Sequence, residues 1–334
     1  MTSHPSSIAL SGGKDSVATL IDAADRWNVK AAITVVHEFT DKACLENARR
    51  AAEHVGVDHE VVKLRLREWF ARALKEGHPI CTKCGRSVLT AACLRARELG
   101  YATVLTGHEL RGKFGRRTTH PYPPGITVVR YPALRRWTWE DIRDIVSGLS
   151  WFNPEYTCPI RPYGVHRFIE EVGYNPLTGR ACTIMLEGVA TPKEALAYLR
   201  ETETPEKDPE RVLEILGLEE KAAFPNGIPD GPRDEDEIVR DLTYRLLMYA
   251  RQALKSLVHG TLNRVERRER FAQLYFVMSE YGKIDDRLEN IDIEAFVRLA
   301  TGDGKEAERL LHDVKKLMRS ILAEYGRTIP GARP

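Results

Sequence analysis

The chain opens with short apolar runs that alternate with stretches of helical spacing. Residues 8–10 are apolar and end at a glycine-rich turn, and residues 17–27 then repeat apolar side chains every three or four positions. A β-branched run over 31–36 predicts a second strand, 43–55 a second helix, and 59–64 a third strand. Strands that alternate with helices in this way favour an α/β fold with a parallel sheet covered on both faces.

The pattern changes near residue 190, beyond which helical spacing dominates. Thr191 is followed by a proline and a first-turn acid, the order of residues that starts a helix. Further helices are predicted over 209–218, 237–258, 262–281, 291–301 and 304–325. Proline, glycine and charge favour linkers over 201–209 and 224–236. We therefore expect an α/β domain over residues 1–190 and an all-α domain over residues 191–334.

The turn after the first strand has the composition of a phosphate-binding loop. Gly12 and Gly13 permit positive φ angles and close backbone approach, and the N–H groups at the start of the next helix can face an anion. Lys14 adds a positive charge, while Ser11 and Ser16 add hydroxyl donors. The spacing is not that of the Walker loop, which has four residues between its glycines. A serine- and glycine-rich turn without a ligand is the alternative.

The run Ser-Gly-Gly-Lys-Asp-Ser over residues 11–16 resembles the PP-loop of the ATP pyrophosphatase superfamily. Members of that superfamily cut ATP between its α and β phosphates, so their loop grips the departing pyrophosphate. The resemblance implies that Ser11 to Ser16 bind ATP with Mg²⁺ and that Lys14 and Asp15 act in catalysis. It also implies a parallel-sheet PP-loop domain like that of adenine nucleotide α-hydrolases.

Six cysteines are too few for a disulfide scaffold in a chain of 334 residues. Cys81 and Cys84 come just before a helix predicted over 86–98, and two thiols on such a turn can converge on one ion or on neighbouring irons. The pair alone leaves zinc, an iron–sulfur cluster and a redox disulfide open. Cys93 on that helix and Cys44 on the second helix are predicted to be packing residues, because unpaired cysteines are usually buried.

A Thr-Gly-His sequence follows a strand predicted over 102–105. The order PP-loop, Cys-x-x-Cys-Gly, helix, strand and Thr-Gly-His is similar to the tRNA thiolation enzymes that make 2-thiouridine and 2-thiocytidine, and the similarity covers about residues 8–165. It implies that Gly107 and His108 contact the nucleotide. His37, just past the second strand, is a further candidate, because a base or ribose can lie at that edge of a sheet.

In that family three cysteines hold a [4Fe–4S] cluster. The resemblance implies Cys81, Cys84 and Cys158 as its ligands, with one iron left open for a hydrosulfide. Cys182 competes with Cys158 for the third position, and a closed site with four cysteines stays open. The chain departs from the family after Thr-Gly-His, where Glu-Leu-Arg-Gly replaces Asn-Leu-Asp-Asp. Glu109 is the nearest carboxylate and is our candidate for the role of the lost aspartate.

Charge distribution adds a candidate RNA surface. The net charge of +2 says little, but seven basic residues and one acid lie between residues 109 and 136. The basic residues are Arg111, Lys113, Arg116, Arg117, Arg130, Arg135 and Arg136. We expect this segment to contact tRNA, with a solvated loop as the alternative. Near residue 267, arginines at 264, 267, 268 and 270 alternate with Glu266 and Glu269, which favours a solvated helix face.

We predict an ATP-dependent sulfurtransferase that adenylates a nucleobase, in tRNA, and replaces its oxygen with sulfur. Its cofactors are ATP, Mg²⁺ and a [4Fe–4S] cluster; the sulfur comes from free sulfide or a sulfur-carrier protein, and a homodimer stays open. The sequence has no run of about 18 apolar residues and no signal core, so we expect a cytoplasmic protein without a membrane partner. The alternatives are an enzyme like the sulfate-nucleotide reductases, or a non-catalytic module that binds RNA or a nucleotide and carries structural zinc.

Overall fold

A six-stranded sheet forms the centre of the first part of the chain. The computed structural model describes residues 2–109, 119–122, 125–154, 158–205, 208–301 and 306–324. The strands are β1 (Thr2–Ala9), β2 (Trp27–Val36), β3 (Asp58–Lys63), β4 (Thr103–Thr106), β5 (Thr119–Tyr122) and β6 (Ile126–Arg130). They lie in the order β3-β2-β1-β4-β6-β5, and all neighbours are parallel except β5 and β6. The predicted α/β fold with a parallel sheet is confirmed, and the antiparallel edge strand β5 is an addition to it.

Helices cover both faces of this sheet. The first six are α1 (Lys14–Ala24), α2 (Lys42–Val55), α3 (Arg67–Glu76), α4 (Ile80–Glu98), α5 (Tyr131–Arg135) and α6 (Trp139–Ser147). On one face Ala32 of β2 packs in a cluster with Leu20 of α1 and Ala51 of α2. On the other face Ile33 of β2 packs with Cys93 of α4. Burial on both faces explains why β2 is apolar at consecutive positions instead of alternating.

The strand order reverses beside β1. This strand pairs in parallel with β2 on one side and with β4 on the other, so that Ile8 lies level with both Ala32 and Leu105. The chain runs outward from β1 to β2 and β3, whereas β4 and β6 lie on the opposite side. The carboxyl ends of β1 and β4 therefore border the kind of crevice in which α/β sheets bind ligands.

The remaining helices continue to the end of the described chain. They are α7 (Arg161–Val172), α8 (Thr178–Leu186), α9 (Pro192–Glu203), α10 (Pro209–Leu216), α11 (Glu220–Ala223), α12 (Glu235–Val258), α13 (Arg264–Tyr281), α14 (Glu294–Thr301) and α15 (Ala307–Glu324), with a 3₁₀ turn at Asp286–Asn290. Thr191 caps α9 in a capping box with Glu194, as its sequence predicts. Within the described ranges, every helix is too short or too polar to span a bilayer.

The chain forms two compact units that are interleaved along the sequence. Unit 1 comprises Met1–Arg167 and Pro205–Asp230, and unit 2 comprises Phe168–Thr204 and Gly231–Pro334. The residues described in unit 2 form helices, with no strand among them. The division thus does not fall at residue 190, because each unit takes its residues from two separate parts of the chain.

Part of the segment predicted as linker belongs to the core of unit 1. Phe224 is 2% exposed and lies in a cluster with Phe70, Tyr163 and Val212. Its ring centroid is 5.5 Å from that of Tyr163. The linker prediction is therefore wrong at Phe224, where one buried aromatic ring outweighs the proline- and glycine-rich residues that follow it.

A buried ionic network joins the two parts of unit 2. Arg233 donates to Oε1 of Glu203 at 2.9 Å and to Oδ2 of Asp241 at 2.6 Å. The backbone N–H of Asn175 also donates to Asp241, and its side-chain amide donates to Glu203 at 2.7 Å. Burial alone would lower the pKa of Arg233, but the two carboxylates hold it above its ordinary value. Each buried charge therefore depends on its partners.

We predict that Arg233→Met lowers the free energy of unfolding by about 3–5 kcal/mol, because it leaves two buried carboxylates without their cation. Arg200→Met is the matched control, since Arg200 and Glu235 are mostly exposed and their ion pair spans 3.7 Å. The control should cost less than about 1 kcal/mol. Urea denaturation of both variants measures the difference, and equal losses would contradict the role assigned to the network.

Candidate nucleotide and thiol site

The loop between β1 and α1 presents a helix N-terminus at the crevice. Gly12 has a φ of 79°, in the left-handed region, and Gly13 is the N-cap of α1 with an extended backbone. Gly13 offers no side chain to cap the helix. The N–H groups of the first turn and the helix dipole there favour an anion, which agrees with the predicted phosphate-binding loop.

The two loop serines bond to each other and to the loop backbone. Ser16 Oγ donates to the carbonyl oxygen of Gly13 at 3.0 Å and accepts the N–H of Ser11 at 3.1 Å. Ser11 Oγ lies 3.0 Å from Ser16 Oγ, and because the Ser16 proton goes to Gly13, Ser11 is the donor of that pair. The two hydroxyls therefore stabilise the conformation of the loop. From the sequence, both were predicted only as donors to an anion.

Two glycines bring other backbone segments against this loop. A Cβ atom added to Gly12 would lie 1.7 Å from the carbonyl oxygen of Cys44 on α2. A Cβ atom added to Gly107, in the Thr-Gly-His turn after β4, would lie 2.7 Å from the backbone of Asp15 and Ser16. Only glycine fits at these two contacts, since real Cβ atoms do not approach heavy atoms so closely.

The predicted histidines follow the two strands that flank β1. His108 Nδ1 lies 2.9 Å from Thr106 Oγ1 at the end of β4. After β2, His37 Nδ1 accepts the N–H of Phe39 at 3.2 Å, and its Nε2 lies 3.6 Å from Cys84 Sγ. Burial lowers the pKa of His37, and the charge of Glu38 opposes that shift. The His37 ring is therefore favoured in its neutral form beside a cysteine.

The charged candidates occupy different environments. Lys14 Nζ lies 2.8 Å from Asp15 Oδ1 and 5.1 Å from the ring centroid of Trp139. Both members of the pair are about one third exposed, so they remain accessible to a ligand at the N-terminus of α1. Glu109 is only 2% exposed. Glu38 accepts the N–H groups of Leu66 and Arg67 and so caps the start of α3.

Cys81 and Cys84 lie within α4, not on a turn before it. The helix begins at Ile80, so the two thiols come from its first turn at i and i+3, on one face. Burial raises the pKa of the Cys84 thiol to about 12, and the charges of Cys158, Cys81 and Glu38 act in the same direction. The Cys84 thiol is therefore close enough to Cys81 and Cys158, the other two predicted ligands, for their charges to affect its pKa.

Cys44 adds a fourth thiol to this group. Burial raises its pKa to about 12, with further contributions from Asp41 and Cys158. The prediction that Cys44 is a simple packing residue missed this neighbourhood, because the contact joins α2 to a segment more than a hundred positions away. Several thiols near one another are the donor set that zinc and iron–sulfur clusters select. The residues thus fit such a group by their chemistry, although no three His, Cys, Asp or Glu among those described stand at metal-binding distance.

The other two cysteines pack in apolar cores. Cys93 is fully buried between α4 and the sheet, as predicted. Cys182 is fully buried in the core of unit 2, and burial raises its pKa above the ordinary range. This hydrocarbon environment does not favour Cys182 as the third metal ligand, and the choice of Cys158 stays a prediction.

Asn47 is a positioning residue that the sequence did not reveal. Its side chain is buried on α2, and its Nδ2 donates to the carbonyl oxygens of Gly12 at 3.2 Å and Asn153 at 2.7 Å. Its Oδ1 accepts the N–H of Asn153 at 3.0 Å. The sequence feature that could have indicated Asn47 is a polar residue on the face of α2 that otherwise buries Ala48 and Ala51. Asn47 thus ties the loop to the segment that leads to Cys158.

The predicted RNA-binding segment is only partly described. Four of its basic residues fall in 110–118, outside the described residues: Arg111, Lys113, Arg116 and Arg117. Arg135 lies 3.5 Å from Asp22, and Arg136 ends α5 with a φ of 56°. The Tyr131 hydroxyl donates to Asp22 at 2.6 Å, so the Asp22 carboxylate contacts both Arg135 and the buried Tyr131.

Comparison with known proteins gives one relative of this chain and no matching protein-family model. The chain is 26% identical over 206 residues to the uncharacterized protein MJ1599 of Methanocaldococcus jannaschii. The match covers 60% of this chain and 74% of that protein. Function therefore has to be inferred from the site itself, on an α/β fold whose ligand crevice is formed by the ends of β1 and β4.

We predict that Gly12→Ala destabilises unit 1 by about 3 kcal/mol or more, because the added methyl group meets the Cys44 carbonyl at a backbone angle that alanine rarely adopts. Gly179→Ala is the control, since an added Cβ there has open space within α8. Its effect should stay within about 1 kcal/mol. Urea denaturation and ATP binding are the measurements, and wild-type behaviour of the Gly12 variant would refute the close contact.

The raised thiol pKa values give a second prediction. In protein freed of metal by a chelator, Cys84 should react slowly with iodoacetamide at pH 8 and about tenfold faster for each pH unit up to about 12. The same residue in denatured protein is the control, because its pKa returns to about 9. The thiol contributes stability that is complete below pH 9 and lost as the pH rises towards 12. Mass spectrometry of the labelled peptides follows the reaction; equal rates at pH 8 would contradict it.

Proposed function

We propose that this chain is an ATP-dependent sulfurtransferase of the PP-loop type, which activates a nucleobase oxygen, in tRNA, and replaces it with sulfur. One observation carries the proposal. The backbone of Cys44 packs directly on Gly12 of the predicted phosphate loop, and its thiol is within electrostatic range of Cys158. Nucleotide chemistry and sulfur chemistry are thereby expected at neighbouring positions, which is the combination that this reaction needs.

The loop residues have the properties needed to bind the triphosphate. ATP would enter as its Mg²⁺ complex, with phosphate oxygens facing the N–H groups of the first turn of α1. Lys14, whose side chain is about one third exposed, would move from Asp15 to the phosphates. The backbone of Gly107 against Asp15 and Ser16 supports this arrangement, because it fixes the direction of the first turn.

The chemical steps balance as two displacements. A carbonyl oxygen of the base attacks the α-phosphorus, the bond to the pyrophosphate oxygen breaks, and pyrophosphate leaves with the electron pair. Lys14 and the N–H groups of α1 stabilise the negative charge on that leaving group. Glu109 is proposed to accept the ring N–H proton of the base. A hydrosulfide then adds to the activated carbon, AMP leaves with the former base oxygen and its bonding electron pair, and the hydrosulfide proton moves to the ring nitrogen, so that a thiocarbonyl remains.

Cys81, Cys84 and Cys158 would hold the [4Fe–4S] cluster that the family resemblance implies. When bound, such a cluster supplies an iron with an open coordination position for a sulfur nucleophile. The sulfur donor is proposed to be free sulfide or a carrier protein. Because the Cys84 thiol has a raised pKa, it has to lose its proton when it binds the group.

A second candidate function is favoured by the fourth thiol. Four cysteines, Cys44 included, suit a closed tetrahedral zinc site that stabilises structure and leaves no position for a substrate. In that case the chain would be a non-catalytic module that binds a nucleotide or RNA. The metal content of the protein separates the two functions.

We predict that anaerobically reconstituted protein with ATP, sulfide and tRNA releases pyrophosphate and forms a thionucleoside. Cys158→Ala should lose most of its iron and lower thionucleoside formation by about 100-fold or more, because a ligand is missing. Cys182→Ala is the matched control: it also removes one thiol, but from the core of unit 2, and should keep its iron. Iron, sulfide and zinc analysis, with chromatography of digested tRNA, gives the readout.

Two results would refute the proposal. One is zinc near one equivalent per chain, without iron or labile sulfide, which favours the structural site. The other is iron-loaded protein that forms neither pyrophosphate nor a thionucleoside.

A further inference from the structure

A groove with a volume of about 850 Å³ lies along α13 and α14 in unit 2. Arg264, Arg267, Arg268, Tyr275 and Phe276 line it from α13. Leu262, Ala272, Val297, Ala300 and Thr301 complete its lining. The volume is that of a site for a small molecule or for one or two nucleotides of a chain.

Helical pitch separates the charges that alternate in the sequence. Arg264, Arg268 and Ala272 are four residues apart and share one face of α13, whereas Glu266 lies on the opposite side and Glu269 lies on the same side as Phe276, two turns before it. Glu266 also accepts the N–H of Asn263 in the capping box that starts the helix. Among the described residues that line the groove there are three arginines and no acid. The arginines therefore give the groove a positively charged lining, while the exposed Glu269 beside it belongs to the solvated face of mixed sign that the sequence predicts.

The arginines divide into one that builds the groove and two that face solvent. Arg267 Nε donates to the carbonyl oxygen of Leu299 at 2.8 Å, so it holds α13 against the end of α14. Arg264 and Arg268 are exposed, and neither forms an ion pair within the described part of the chain. Two positive charges at one rim attract an anionic chain.

Two adjacent aromatic rings supply the other property of this surface. Phe276 is 67% exposed, although Phe271 and Leu274 on the same helix are buried. The rings of Tyr275 and Phe276 are 5.5 Å apart at their centroids and meet edge to face. The Tyr275 hydroxyl donates to Glu294 at 3.3 Å, which fixes its ring. An exposed phenylalanine beside a fixed tyrosine offers a flat apolar surface that the fold itself does not use.

We propose that this groove binds unpaired nucleotides of an RNA, with a base stacked on Phe276 and phosphates held by Arg264 and Arg268. Aromatic stacking and arginine contacts are the general means by which proteins hold single-stranded nucleic acid. An acidic peptide would also meet the two arginines, but the exposed ring of Phe276 favours a base that stacks on it. This surface lies outside the nucleotide and thiol site, so it adds an RNA contact beyond the proposed reaction.

The test measures binding of a fluorescently labelled, unpaired RNA of mixed sequence to the full-length protein by anisotropy, without ATP or metal. The variants are Phe276→Ala, Phe276→Tyr and Arg268→Glu. Val258→Ala and Arg319→Glu are matched controls, because they change an exposed apolar residue and an exposed arginine outside the groove. Thermal denaturation confirms that each variant is folded. The same strand in a duplex and an acidic peptide serve as competitors.

We expect Phe276→Ala to raise the dissociation constant by roughly tenfold, and Phe276→Tyr to restore binding to within about threefold. Arg268→Glu should weaken binding and lower the dependence of log affinity on log salt by about one. The controls should stay within about twofold of wild type. Unchanged binding by the groove variants, equal competition by the duplex, stronger competition by the peptide, or no RNA binding would each overturn the proposal. Because ATP and metal are absent, the outcome is independent of the sulfurtransferase reaction.

Discussion

The close contact between the backbones of Gly12 and Cys44 is the constraint on which the candidate site depends. It leaves no space for a side chain on the loop, and the contact of Gly107 with Asp15 and Ser16 does the same from the β4 side. The first turn of α1 is thus fixed by packing and by the serine hydrogen bonds within the loop. Gly13, the N-cap of α1, has no side chain to cap this end of the helix, so a phosphate group there would meet backbone donors that are already in place.

Burial and metal binding have opposite effects on the protonation of the clustered cysteine thiols. Burial raises the pKa values of Cys44 and Cys84 to about 12, which keeps these thiols protonated and unreactive at neutral pH. Metal binding needs thiolates, so a bound metal or cluster has to compensate for the loss of those protons. The same burial that protects the cysteines therefore makes occupancy of the site sensitive to pH, and it favours assembly with a strongly thiophilic group.

The sequence predicted those elements whose periodicity is strong. The helix α2, the strand β3 and residues 31–36 of β2 follow from the apolar pattern, and so do the long helices α12, α13 and α15. Most of β1 lies in the polar residues 2–7, ahead of the predicted apolar run. Less visible were the start of α4 ahead of Cys81, the role of Asn47 and the proximity of Cys44 to Cys158, because each depends on contacts between distant residues. Composition misled at Phe224, where proline and glycine follow a buried ring.

The chain passes from unit 1 to unit 2, back to unit 1 and again to unit 2, and this order affects how the protein folds during synthesis. Unit 1 is complete only after residue 230, since Val212 and Phe224 supply side chains to its core, and unit 2 needs residues from both sides of that segment. During synthesis the sheet therefore emerges long before the hydrophobic cluster beside α3 can close. No single cut in the backbone separates two complete folding units, because the segments of unit 1 and unit 2 alternate along the chain.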